Sequence, residues 1–169
     1  MRFFIIFSII ILNFIFQSTL LHFFEFFGVV PNTGLILVVV FGLLTNRKAS
    51  STIGLTIGFL QDIIFDSVIG VHALIYFFIG YILGVTNQNL FRENKLIPFV
   101  VTVISTVGFH LAYYLCMYFL GINTTIVHIV KEIAFAEAVY NSIISIFIYS
   151  RIAKIYKNPQ LNFGSNRRG

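Results

Sequence analysis

The chain has 169 residues, 58% of them hydrophobic and 10% charged, with 21 Phe and a mean hydropathy of +0.94. A single soluble domain cannot hide that much apolar surface, so the composition excludes a soluble globular protein and predicts an all-α, polytopic integral membrane protein. The net charge of +5 would suggest nucleic acid in a soluble chain, but in a membrane chain the position of each charge relative to the apolar blocks matters more than the total, and no nucleic-acid partner is expected.

The apolar blocks predict a bundle of six transmembrane helices at about 3–24, 29–45, 49–65, 68–86, 96–120 and 126–151, each near the roughly 17–25 residues a span needs. The first block follows a single Arg2 and has no small-residue cleavage pattern after it, so it reads as an uncleaved helix rather than a leader. Asn13 and Gln17 share one of its faces. The second block opens with Pro31-Asn32 and carries no polar stripe. In the third, Gly54, Gly58, Asp62 and Asp66 follow one another at i+4, a groove of small residues that ends in two carboxylates. The fourth repeats the arrangement with Tyr76, Gly80 and Gly84.

Thr106, His110 and Tyr114 line one face of the fifth block, and Glu137, Asn141 and Ser145 one face of the sixth. Cys116, the one cysteine, lies in an apolar run and rules out an internal disulfide. The connections, from Glu25 to Gly28, Asn46 to Lys48, Asp66 to Ser67, Asn87 to Lys95 and Gly121 to Thr125, are short and polar or contain Gly or Asn. The segment 157–169 is a basic tail with the composition of a disordered segment drawn to anionic headgroups of the lipid bilayer.

Placing the N-terminus in the cytoplasm puts ten of the eleven basic residues on that side and leaves Lys131 outside, while five of the six acids, all but Glu93, fall on or near the other side. The positive-inside rule therefore selects a multi-pass orientation with both termini cytoplasmic. In this orientation Asp62 and Asp66 lie near the outer surface. An ionisable group at membrane depth costs about 2.5–3.5 kcal/mol on insertion scales, so Asp62, one turn deeper, is expected to make a specific interior bond, with Lys131 and His128 as available partners. Asp66 with Ser67 reads as turn chemistry. Gln17, Asp66, His110 and Asn141 are candidates for a polar interior. Thr106 and Tyr114 are the expected hydrogen-bond partners of His110. No nucleophile–base arrangement, metal-ligand spacing or phosphate loop occurs, so no catalytic, cofactor-binding or metal residues are expected.

The run Gly54-x3-Gly58-Phe-Leu-x-Asp62, then Gly70-Val-x-Ala73-Leu-x-Tyr76 and Gly80-Tyr-x2-Gly84, resembles the central signature of the rod shape-determining protein MreD family. Pro31-Asn32 and Asn141 resemble its flanking positions, whereas Ile69 stands where the family often has Pro, and Glu137 where an uncharged residue or Pro is usual. The resemblance covers essentially the whole chain. It implies a non-enzymatic subunit of the machinery that elongates rod-shaped bacteria, associated with MreC and, through it, with MreB, RodA and its penicillin-binding protein partner. The family's fold is also likened to the substrate-binding subunits of energy-coupling-factor vitamin transporters, which supplies the alternative function.

Overall fold

The computed structural model describes residues 2–19, 30–66, 68–86, 96–122 and 135–157. They form six helices and no strand: α1 (Arg2–Thr19), α2 (Thr33–Leu44), α3 (Arg47–Phe65), α4 (Val71–Thr86), α5 (Leu96–Phe119) and α6 (Phe135–Lys157). Among the described residues α5 is the one helix both long and apolar enough to cross a bilayer by itself, and α1, α2 and α4 contain shorter apolar helices.

Local chemistry sets these boundaries. Helix α2 starts late because Pro31 and Asn32 precede it; the Asn32 side chain accepts from the Leu35 N–H at 3.0 Å, supplying an acceptor for a donor that has no partner within the helix. It stops where Thr45 turns extended, its N–H and hydroxyl both donating to the Phe41 carbonyl. The expected span 29–45 is thus a helix of twelve residues, about 18 Å long. Asn46 caps α3 through the Ala49 N–H at 3.0 Å, so α3 begins at Arg47 rather than at 49. Helix α4 begins at Val71 rather than at 68 because the chain turns at Gly70, whose φ of +106° belongs to the left-handed region that favours glycine. The sixth helix runs on to Lys157 instead of ending at 151. The expected start of that span, 126–134, lies outside the described residues, as do all of the tail but Lys157 and the loop residues His128 and Lys131.

Helix α2 is the hub. All twelve of its residues are buried, and it contacts each of the other five helices. A helix apolar on all sides belongs inside a bundle, which is why the one block without a polar stripe occupies the middle. Around it α3 pairs with α4, α5 pairs with α6, and α1 packs on α2.

The bundle carries its polarity the reverse way from a soluble protein. Asp62, Thr102, Thr106, Asn141, Ser142 and Ser145 are completely buried, whereas Phe4 (73%), Ile104 (65%) and Phe147 (69%) stand mostly exposed. Large apolar exposure and buried polar groups are the informative departures from the ordinary soluble pattern.

Candidate functional site

The glycines of α3 and α4 form a seam in which backbone meets backbone. A Cβ on Gly58 would sit 2.5 Å from the Ala73 Cα, and one on Gly80 would sit 2.5 Å from the Ser50 carbonyl oxygen. A Cβ on Gly54 would collide with the Tyr76 carbonyl, and one on Gly84 with the Ser50 hydroxyl and the Arg47 backbone. The Ser50 hydroxyl donates to the Gly80 carbonyl at 2.7 Å, tying the two helices directly. Spacing of four places these glycines on one face of each helix, and without side chains the axes approach closely enough for backbone contact.

At the far end of the seam stands Asp62, completely buried. Gly70 occupies the N-cap position of α4 and has no side-chain oxygen to offer the first turn. Asp62 supplies that oxygen from the neighbouring helix: Oδ2 accepts from the Gly70 N–H at 2.8 Å and the Ala73 N–H at 3.0 Å, and Oδ1 from the His72 N–H at 2.9 Å. A carboxylate there satisfies donors the helix cannot satisfy itself and meets the positive end of its dipole. Burial of Asp62 is therefore matched by charge-assisted bonds to backbone, where sequence reasoning sought a partner side chain on Lys131 or His128.

His72 completes this corner. Its Nδ1 lies 3.0 Å from Asp62 Oδ1 and 3.2 Å from Asp66 Oδ2. The ring is flanked by Phe109, Tyr113 and Tyr76 at centroid distances of 5.2, 5.3 and 5.7 Å. The Tyr113 hydroxyl donates to Asp66 Oδ2 at 3.0 Å. Asp66 thus does more than shape a turn: it joins the start of α4 to α5.

A second polar cluster lies around the start of α2. The Asn32 side chain, besides capping α2, accepts from the Tyr76 hydroxyl at 2.9 Å, and the Asn32 N–H donates to Asn141 Oδ1 at 2.9 Å. Asn141 Nδ2 donates to Glu137 Oε1 at 3.1 Å and to the Thr106 hydroxyl at 3.3 Å. Glu137 Oε2 lies 2.8 Å from His110 Nε2. Thr33 donates to Gln17 Oε1 at 3.2 Å, attaching α1. His110 therefore pairs with Glu137, not with Thr106 and Tyr114 as expected: the 27-residue separation of the pair brings together two helices that no spacing within one helix could relate.

Of the residues singled out from sequence, Gly54, Gly58, Asp62, Tyr76, Gly80 and Gly84 meet along the α3–α4 seam, with Gly70 and Asp66 at the end where Asp62 stands. Gln17, His110 and Asn141 meet in the second cluster, and Tyr76 belongs to both, with its backbone against Gly54 and its hydroxyl on Asn32. Sequence reasoning missed His72, Tyr113 and the buried Gln61. For His72 a signal existed: it sits two residues past Gly70, in the helix-opening turn whose N–H groups seek an acceptor.

Searches of curated proteins and of solved structures return no match. A family model, that of the rod shape-determining protein MreD, matches residues 1–158 and so includes both clusters and every described helix. The seam and its aspartate are thus features of a chain that belongs to the rod shape-determining protein MreD family and takes part in determining rod shape.

Proposed function

We propose that this chain is a non-enzymatic, multi-pass scaffold of the bacterial plasma membrane that binds MreC and supports lateral peptidoglycan synthesis, with RodA, its penicillin-binding protein partner and MreB engaged through that contact. The observation that carries the reading is where the polar side chains go. Asp62, His110, Glu137, Asn141 and Gln17 are each engaged with other parts of the chain, while large apolar side chains face outward. Such a molecule offers shape and an apolar exterior, and its polar groups hold the shape.

The inverted polarity supports lipid as the surrounding solvent, and the short α2 is compatible with it: in the non-helical backbone at 30–32, Pro31 is fully buried and Val30 and Asn32 are partly covered by protein, in line with the condition under which irregular backbone is tolerated at membrane depth. Arg47 and Lys48 at the start of α3 and Arg151 and Lys154 near the end of α6 support cytoplasmic placement of those ends. The transporter alternative would need Asp62, Gln17 and His110 to line a ligand pocket, and their intramolecular bonds count against it. Co-purification with MreC from detergent extracts tests the proposal. Retention of MreC, together with rounded cells and delocalised wall synthesis on removal of the protein from a rod-shaped host, is the expected result; loss of MreC joined to tight capture of a vitamin would overturn it.

A further inference from the structure

The corner formed by Asp62, Asp66 and His72 has a geometry that capping alone does not require. One atom from each residue lies within 4.8 Å of the other two, and Nδ1 of His72 is 3.0 Å from one carboxylate oxygen and 3.2 Å from the other. A single nitrogen carries one proton, which bridges one carboxylate well and the other poorly. A metal cation bonds all three at once. Bonds of about 2.0–2.2 Å from nitrogen and oxygen to zinc place neighbouring ligand atoms of a tetrahedral site about 3.3–3.6 Å apart, and the two separations, 3.0 and 3.2 Å, come within a few tenths of an ångström of that.

From these distances we infer that Asp62, Asp66 and His72 form a binding site for one divalent transition-metal ion of the zinc type at the outer end of the α3–α4 seam. The donor set favours such an ion over magnesium or calcium, which prefer oxygen alone. Burial favours it too: the side chains of Asp62, Asp66 and His72 are 0%, 10% and 12% exposed, and buried charge is stabilised by pairing or by coordinating a metal.

The surroundings orient the ligands as metal sites require. Three backbone N–H groups of the α4 start hold the Asp62 carboxylate, the Tyr113 hydroxyl holds Asp66, and Phe109, Tyr113 and Tyr76 fix the plane of the imidazole. The neutral ring would coordinate through Nδ1 with its proton on Nε2, and the remaining positions on the ion would be filled by water from the outer side. Bound there, the ion joins the end of α3, the start of α4 and, through Tyr113, α5. The inference does not rest on the scaffold reading.

The experiment is titration of the detergent-solubilised full chain, stripped with chelator, with Zn2+ alone, read by calorimetry, and with Co2+, read by its visible absorption. One ion per chain, a Co2+ spectrum of nitrogen and oxygen ligation, and at least about a tenfold loss of affinity in Asp66→Asn and in His72→Gln are expected. Asp66→Asn leaves the three backbone bonds of Asp62 in place, so a folded, monodisperse protein is retained for the measurement. Zn2+ binding below a tenth of an ion per chain, or affinity unchanged in both variants because His110, Cys116 or another group holds the ion, would overturn the site.

Discussion

The two polar regions of this bundle are built by opposite means. Along the α3–α4 seam glycines let the backbones touch, the Ser50 hydroxyl adds one bond, and one carboxylate holds the end. Around the start of α2 the side chains do the joining, and Asn32, Asn141, Glu137, His110, Thr106 and Tyr76 form a chain of bonds across four helices. The first region fails when a side chain is added at its glycines or the carboxylate at its end is removed, and the second when any of its polar side chains is removed. Substitutions should separate them accordingly.

The largest effect is expected from Gly58→Leu. Its Cβ would lie 2.5 Å from the Ala73 Cα and 2.6 Å from the Ala73 N, and a backbone neighbour cannot rotate aside. The cost should exceed about 3 kcal/mol, the upper part of the range for overpacking, and the protein should fail to accumulate in membranes. Normal accumulation, read by immunoblot of the membrane fraction, would mean that α3 and α4 do not meet at Gly58.

Asp62→Leu comes next, because it leaves the N–H groups of Gly70, His72 and Ala73 buried without an acceptor. At about 1–3 kcal/mol per unsatisfied group, offset by whatever water can reach the turn, a loss of about 3 kcal/mol is expected. Asp66→Leu removes the acceptor of the Tyr113 hydroxyl and the weaker of two contacts to one imidazole, and should cost about 1 kcal/mol. Thermal unfolding in detergent, followed by loss of monodispersity, ranks the two. An equal effect of both would reduce Asp62 to a surface cap and remove the distinction between depth and turn.

How much of this is legible in the sequence follows from the same contrast. Gly54 and Gly58 on α3 and Gly80 and Gly84 on α4 are readable because each set repeats at the helical period, and the two sets then find each other. Asp62 was readable as a group needing a bond, but its partners are backbone N–H groups, which every sequence contains and no composition reveals. The pairs His110–Glu137 and Asn32–Asn141 join residues 27 and 109 positions apart, and one sequence holds no register between helices. The length of α2 was half legible: the apolar run continues through 29–45, but Pro31 and Asn32 are stop-and-start signals that apolar content overrode. Helix α6 runs past its expected end at 151 to Lys157 because Arg151 and Lys154 end the apolar run without ending the helix: long basic side chains can remain helical and extend their charge toward the surface.

In the second region, Asn141→Leu should cost about 2 kcal/mol, for the loss of three bonds at about 0.6 kcal/mol each, one to Glu137 within α6 and two to Thr106 and Asn32 elsewhere in the bundle. Tyr76→Phe should cost about a third of that, since it removes only the hydroxyl bond to Asn32. The pair also tests whether the cluster acts as one network. A double mutant whose loss is smaller than the sum by more than about 0.5 kcal/mol places both residues on a shared path through Asn32; simple additivity would divide the cluster into independent contacts.

The smallest effect is expected at Gln61, and it is informative for that reason. Gln61 lies buried in α3, its Oε1 against Gly34 in the first turn of α2, and its amide has no hydrogen-bond partner among the described residues. A buried amide without a partner contributes packing and carries a desolvation cost, so an apolar residue of similar length removes the cost and keeps the contact. Gln61→Met should therefore leave the unfolding midpoint unchanged or slightly raised, within about 0.5 kcal/mol of the parent, in a helix where Asp62, the next residue, tolerates no such exchange. A loss above about 1 kcal/mol would mean that the amide is bonded in the membrane, through water or through a partner, and that the polar cluster around the start of α2 extends across Gly34 into α3. The two regions would then be one continuous structure from Gln17 to Asp62, and the division between a backbone seam and a side-chain network would not hold.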